Sequence, residues 1–239
     1  MPGEKTAGLD LERDLWRRGF RRVIGMDEAG RGAWAGPVMA GAVCLPPQDS
    51  PDDAPHDDLR AILAGVRDSK QMTARARERL FDRITTTALA WGVGSADAQE
   101  IDDLGVVPAT CLAMRRALEA LRQGVAAILP DFLLMDLIRC TPFELYAGES
   151  LPYQSYVRGD SRSLSIAAAS ILAKVSRDRH MIEQDQRYPE YGFAVHKGYG
   201  VPSHRRAIET HGALPLHRMS FAPLREAPRR EVITQEHLR

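Results

Sequence analysis

Two adjacent carboxylates, Asp27 and Glu28, stand at the end of a short apolar run and are followed at once by Ala-Gly-Arg-Gly. Val23, Ile24 and Met26 suit a buried strand of a layered sheet, and the two acids fall where that strand is expected to end. In open α/β sheets, strand ends are where ligands bind. Gly30 and Gly32 flank Arg31, so the backbone there can take φ > 0 and approach a ligand closely, with peptide N–H groups and a guanidinium on offer. Such a loop beside two acids suits a phosphate or a sugar. Other readings of the same residues stay open. Asp-Glu before a glycine also makes an ordinary solvated turn. Gly-x-Gly after a strand also occurs in dinucleotide-binding folds, but that motif must open a helix, and here Pro37 and the strand-like Val38 to Leu45 follow. Consecutive strand residues point to opposite faces. Asp27 and Glu28 can therefore share a site only if the strand bulges or ends there, or if one acts through its backbone carbonyl.

Phe132-Leu-Leu-Met-Asp136 repeats the arrangement, an apolar run delivering one carboxylate at its end. A lone aspartate there is otherwise a turn former. Two such strands in one sheet would place Asp27 and Asp136 at a common edge.

Asp-Glu-Ala-Gly-Arg-Gly at positions 27–32, with Gly36-Pro37-Val38 after it, resembles the signature of ribonuclease HII, the prokaryotic type 2 ribonuclease H. Further motifs follow in that family's order. They are Asp68-Ser-Lys70, Gly159-Asp-Ser161 leading into an Ala-rich helix with Ala173-Lys-Val-Ser-Arg-Asp178, His196-Lys-Gly-Tyr-Gly200, and His217-Arg-Met-Ser-Phe221. The resemblance spans about Val23 to Phe221. It departs from the family at Ala33-Trp34, where proline and a smaller apolar residue are usual, and at Leu137, where glycine is frequent.

The resemblance implies an α/β ribonuclease H-like fold, a mixed central sheet flanked by helices with a small C-terminal helical appendage. It marks Asp160 as a fourth acid beside Asp27, Glu28 and Asp136. Four clustered carboxylates would raise one another's pKa values unless a cation neutralises them, and oxygen ligands suit hard divalent ions, Mg²⁺ or Mn²⁺. Phosphodiester hydrolysis by metal ions roughly 3.5–4 Å apart is the chemistry expected, with Asp27 and Asp136 as central ligands and Glu28 and Asp160 completing the coordination. By the same resemblance Ser69 and Lys70 contact backbone phosphate, and Lys174, His196 and Lys197 are substrate contacts, with His196 a candidate helper in proton transfer. Gly30, Arg31 and Gly32 with Tyr199 are expected to detect the 2′-hydroxyl, the group that separates RNA from DNA at one nucleotide. The implied substrates are RNA–DNA hybrids and duplex DNA with embedded ribonucleotides, cut on the 5′ side of the ribonucleotide. A binding module that has lost hydrolysis is the rival reading. All four acids speak against it, since they would repel nucleic acid without metal. Ribonuclease HIII fits less well, because Gly-Arg-Gly is intact and no long N-terminal extension precedes it.

The elements that must position these residues can be placed from periodicity. Helices are expected over Leu9 to Arg18, from an N-cap at Thr73 to about Ala90 with Leu80, Ile84 and Leu89 buried, over Val107 to Leu121, from Ser165 to about Tyr188, and over Pro202 to His211. Trp91 to Ala96 and Tyr153 to Val157 read as strands, Asp97 to Leu104 as a brief helix or turn, and Pro46 to Asp58 as a surface loop. The small residues opening the helix after Ser165 would let it pack closely. A chain of 239 residues, 44% hydrophobic, can bury one sizeable core. One domain is expected, with a catalytic core over about 20–190 and the appendage over about 191–239. Formal net charge is zero, so nucleic acid must be held by a local patch. Residues 157–207 carry nine Lys/Arg against five Asp/Glu. Cys44, Cys111 and Cys140, odd in number and without C-x-x-C spacing, read as reduced core residues. No signal peptide or membrane span is evident, so a monomeric cytoplasmic protein is expected.

Overall fold

Strand β1, Val23–Ala29, is buried on both faces as far as Asp27 and lies in the middle of a five-stranded sheet. The computed structural model describes residues 7–48, 59–66, 69, 72–124, 127–138 and 151–230. With β2 at Val38–Cys44, β3 at Ala90–Ala96, β4 at Phe132–Asp136 and β5 at Tyr153–Tyr156, the order across the sheet is β3-β2-β1-β4-β5. β1 pairs antiparallel with β2 as far as Ala29 opposite Met39, but parallel with β4 only as far as Met26 opposite Met135. The strand end expected at Asp27 is therefore real on the β4 side alone. On the β2 side the ladder continues through both acids.

Around the sheet lie α1 (Asp10–Arg17), α2 (Leu59–Ile62), α3 (Ala74–Thr87), α4 (Ala98–Leu104), α5 (Val106–Gln123), α6 (Leu164–Arg187), α7 (Phe193–His196) and α8 (Pro202–His211). Their starts follow local chemistry. Thr73 caps α3 by accepting from Ala76 N–H at 3.2 Å, and Asp97 with Glu100 forms a reciprocal capping box on α4. Helix α6 covers one face of the sheet with α1 and α3, and α5 covers the other. Both lie close because the strands offer glycines: a Cβ at Gly41 would come within 2.3 Å of Ala169 O, and one at Gly94 within 2.2 Å of Ala113 O. Leu89, expected to be buried, is 42% exposed, since α3 ends at Thr87 before its apolar face reaches that residue. Cys111 is disulfide-bonded while Cys44 is free and buried, which corrects the reading of three reduced thiols. Pairing depends on which segments the fold brings within reach, and spacing does not reveal that. Cys140 and most of the Pro46 to Asp58 loop lie outside the described residues. Among those residues no helix is long and apolar enough to cross a membrane.

The last third of the chain has a core of its own, Met181, Tyr191, Phe193, Ile208, Leu214 and Leu224 among others. Inside it two histidines form a relay. Leu214 N–H donates to His217 Nδ1 at 2.9 Å, which leaves the proton on Nε2 to bridge 3.1 Å to His204 Nε2; His204 then donates from Nδ1 to Tyr199 O at 3.0 Å. Burial pushes both imidazoles down to about 4. A base with a depressed folded pKa adds stability above its ordinary value near 6.5, and loses it as pH falls toward the folded value. Unfolding free energy is therefore expected to drop between about pH 6.5 and 4, by up to about 1.4 kcal/mol per pH unit for each histidine. Urea denaturation across that range should show a shallower slope in His217→Gln, which cannot ionise. An unchanged slope would mean that other groups set the acid limit.

Candidate active site

Beyond the Met26–Met135 pair the next residue of each parallel strand is an aspartate. Alternation fixes where the carboxylates point. Val23, Phe132 and Leu134 pack on the α6 side, whereas Ile24, Met26, Leu133 and Met135 pack on the α5 side. Asp27 and Asp136 thus share the α6 side and Glu28 takes the other. Asp27 is only 4% exposed. Burial, then the charges of Glu28 and Asp136, push its carboxyl well above the usual range, while a hydrogen bond from Ser170 of α6 and one from Glu28 N–H at 2.7 Å favour the ionised form.

Asp160 arrives by a different route. Gly159 N–H donates to Asp136 Oδ1 at 2.8 Å, so the 3₁₀ turn Gly159–Ser161 is anchored on one acid and presents the next, which is buried. Ser163 then caps α6. Buried Glu12 of α1 supports that cap, accepting from Ser163 Oγ, Ser165 Oγ and Ser165 N–H at 2.5, 2.7 and 2.9 Å. The sequence reading missed Glu12, whose only signal was an acid on the inner side of an amphipathic helix. Glu28 stays within the strand, ion-paired with Arg31 at 3.2 Å. It acts on Asp27 by charge rather than by facing it.

Among the described residues no three His, Cys, Asp or Glu enclose a metal position by themselves. The donor chemistry nevertheless fits a hard cation. The acids offer oxygen alone, and the charge crowded on Asp27 is what a cation would relieve. Mg²⁺ in particular binds through one or two carboxylates, completing its shell with water and phosphate oxygens.

The remaining expected residues divide between those that face outward and those turned into the protein. Gly30 is buried with φ 95°, Arg31 is half-buried and Gly32 is exposed. Tyr199 is 36% exposed, with Lys174 Nζ 5.7 Å and Arg177 Cζ 5.3 Å from its ring centre. Lys174 is also paired with Asp178 at 2.7 Å, and the Lys197 ammonium donates to Ala194 O. Ser69, expected as a backbone-phosphate contact, is turned inward. Its hydroxyl is 2.8 Å from Ser170 Oγ and the residue is 3% exposed, so it supports the serine that supports Asp27. Lys70 lies outside the described residues. His196, expected as a substrate contact and proton-transfer helper, is 8% exposed, with Nε2 2.7 Å from Tyr191 O and Nδ1 accepting from Gly198 N–H at 3.1 Å. Its ring packs inside the appendage, and that packing is invisible in the motif.

Two further residues were quoted in motifs without a role. Arg218, fully buried, donates from Nη1 to Arg31 O at 2.9 Å and from Nε and Nη2 to Gly36 O at 3.0 and 2.8 Å. Arg177 lies equally deep beside the same loop. Trp34 fills the seam between loop and appendage. Its N–H donates to Gly198 O at 2.8 Å, and a Cβ on Gly200 would come within 2.2 Å of its ring.

The family model for ribonuclease HII matches residues 24–224. A ribonuclease HII of Chloroflexus aurantiacus is 52% identical over 221 residues, spanning 92% of this chain and 95% of the relative. The crystal structure of the ribonuclease H2 from Pyrococcus horikoshii superimposes with a TM-score of 0.66 at 28% identity, covering 86% of this chain and 96% of its own. Bst-RNase HIII in complex with Mn²⁺ gives a TM-score of 0.66 at 24% identity, covering 87% of this chain and 69% of its own, and shares the fold.

The crowding at Asp27 has a measurable consequence. A carboxyl whose folded pKa is raised stabilises the protein below its ordinary value, and that stabilisation is lost as pH rises through the folded value. At neutral pH in EDTA, Asp27→Asn is therefore expected to unfold higher than the parent by roughly 2–4 °C, the shift that about 1 kcal/mol makes in a chain of this size. Added Mg²⁺ should raise the parent and close the gap. Equal midpoints in EDTA would show that the charge is not strained.

Proposed function

The chain belongs to the ribonuclease HII family, and we propose that Asp27, Glu28, Asp136 and Asp160 are the groups with which it performs that family's reaction. The activity is endonucleolytic, divalent-metal-dependent hydrolysis of the RNA strand of RNA–DNA hybrids, with cutting 5′ to ribonucleotides embedded in duplex DNA. The products carry 3′-hydroxyl and 5′-phosphate ends, as ribonucleotide removal from DNA requires.

One observation carries the residue assignment. Asp27 and Asp136 leave adjacent parallel strands at the same level and on the same side, immediately past the last pair of the ladder. Asp27 and Asp136 would hold the ions, with Asp160 steadied through Gly159 and Glu28 reaching the site through its backbone carbonyl. Mg²⁺ or Mn²⁺ is the ion we infer from the all-oxygen donors. Bound there, such ions supply an activated water and neutralise charge on the scissile phosphate. The protein's own part is positional: hydrogen bonds from Ser170 and the Glu28 N–H aim the Asp27 carboxyl and favour its ionised form, and the Gly159 N–H holds Asp136 in place. No histidine is needed as base, in keeping with the engagement of His196 by backbone.

We assign recognition of the ribonucleotide to the Gly30, Arg31 and Gly32 backbone with the exposed Tyr199. Peptide groups brought close by glycine can bond a 2′-hydroxyl, and the tyrosine can stack on the neighbouring deoxyribose. Lys174 and Lys197 sit beside Tyr199 as the basic contribution to holding the duplex. We take the whole as one domain, because Trp34 seals the C-terminal appendage to the catalytic core.

The decisive experiment is cleavage of a DNA duplex carrying one internal ribonucleotide, in Mg²⁺, in Mn²⁺ and in EDTA, beside an all-DNA control. Metal-dependent cutting only at the ribonucleotide is expected. Asp136→Asn should lose turnover by about 10³-fold or more, several kcal/mol of transition-state stabilisation, while fluorescence anisotropy shows duplex binding largely kept. Full activity in that variant would remove Asp136 from the ligand set. Tyr199→Ala is expected to weaken discrimination at the ribonucleotide–deoxyribonucleotide junction, measured as the kcat/KM ratio between that duplex and a continuous hybrid. An unchanged ratio would refute its role.

A further inference from the structure

Arg177 on α6 is 0% exposed and its guanidinium donates to three backbone carbonyls. Nε donates to Pro37 O at 2.8 Å, Nη2 to Ala35 O at 2.9 Å and Nη1 to Lys197 O at 2.9 Å. The first two acceptors belong to the loop that continues Gly30-Arg31-Gly32. The third belongs to the segment that carries Tyr199, whose ring centre lies 5.3 Å from Cζ. Gly30 itself sits on the side chain: a Cβ there would come within 2.0 Å of Nε and 2.5 Å of Cδ. The two segments also touch without it, since Trp34 and Ala35 N–H both donate to Gly198 O and a Cβ on Gly198 would come within 2.4 Å of Ala35 O. Arg177 is the side chain that bonds to both.

A buried cation is a costly way to fill space. Its desolvation penalty is several kcal/mol, and an apolar side chain of similar volume packs without it. What guanidinium adds is a rigid planar fork whose donors fix the directions of several acceptors at once, which the single ammonium of lysine cannot do. Asp178, the acid next to Arg177 in the chain, is already paired with Arg77 at 3.2 Å and Lys174 at 2.7 Å. Carbonyl dipoles and an aromatic face are thus what the Arg177 charge is set against.

We propose that Arg177 is a positioning residue for ribonucleotide recognition: its guanidinium holds the glycine loop and the tyrosine segment in one fixed relation, so that the two read a single nucleotide together. This rests on the assignment of Gly30 to Gly32 and Tyr199 as the reading groups. Arg177 contacts no substrate in this scheme. Its effect passes through Ala35, Pro37 and Lys197 carbonyls to the loops that do.

The test is a double-mutant cycle on selectivity, using the full chain with Mg²⁺ and the kcat/KM ratio between a single-ribonucleotide duplex and a continuous RNA–DNA hybrid. Arg177→Lys keeps the charge and loses the fork. It is expected to lower the ratio by about tenfold, within the range that contacting residues show in such cycles. Added to Tyr199→Ala it should lower the ratio no more than about twofold further, because the relation it maintains is then already without a reader. Circular dichroism and thermal unfolding establish that each variant is folded. Should Arg177→Lys not fold, Arg177→Gln takes its place in the cycle, removing the fork without leaving an ammonium buried. If Tyr199→Ala alone leaves the ratio unchanged, the reading assignment fails. If Tyr199→Ala shifts it while Arg177→Lys does not, or if the two effects multiply, Arg177 only packs and the proposal is overturned.

Discussion

The parallel pairing of β1 with β4 is the constraint on which the site depends. A single register, ending at Met26 and Met135, brings two aspartates from distant parts of the chain to one level of one sheet face. A slip of one residue in either strand would send one of them to the α5 side. The apolar residues preceding each acid enforce the register, because a slip would also turn Leu134 or Val23 out of its core. The placement of the two aspartates is thus held by burial of the apolar residues that precede them.

Charge is handled in opposite ways at the two ends of the site. Around Asp27, burial and the charges of Glu28 and Asp136 push the carboxyl well above its usual range, a crowding that a divalent ion would relieve. Around the Gly30 to Pro37 loop two guanidiniums, Arg177 and Arg218, are buried against carbonyl oxygens. The first arrangement invites a ligand. The second is complete in itself and fixes backbone. The loop with Gly30 and Gly32 continues the strand that bears Asp27, so the crowded acids and the loop to which we assign recognition sit only a few residues apart in the chain.

Most of this architecture was legible in the amino-acid order. The apolar runs ending in Asp27 and Asp136, the cap at Thr73, and the helices over Val106–Gln123 and Leu164–Arg187 all carry local signals that the fold respects. Other features depend on partners distant in sequence. Arg177 lies in the basic stretch and Arg218 in the His217 to Phe221 motif, and only the fold shows each set against carbonyls. His196 looks like a catalytic or substrate group in its motif, yet tertiary packing commits both its nitrogens to backbone. Ser69 looks like a phosphate contact, and its hydroxyl is instead turned toward Ser170. The disulfide at Cys111 was hidden for the same reason: the odd cysteine count says nothing about which two sulfurs meet.

Helix α6 meets β1 and its loop at three points in succession. Ser170 lies against Asp27, Arg177 against Gly30 and Met181 against Gly36, where a Cβ would come within 2.3 Å of its sulfur. Steps of seven and four residues keep all three on one side of the helix, and the first step spans roughly 10 Å at about 1.5 Å per residue. The helix is therefore a gauge. The separation between Asp27 and the Gly30 to Gly36 loop is set by α-helical rise, not by the length of any loop. One residue inserted between Ser170 and Arg177 would shift the far contacts by about 1.5 Å and turn them by about 100°, whereas insertions in surface loops leave the gauge unaltered.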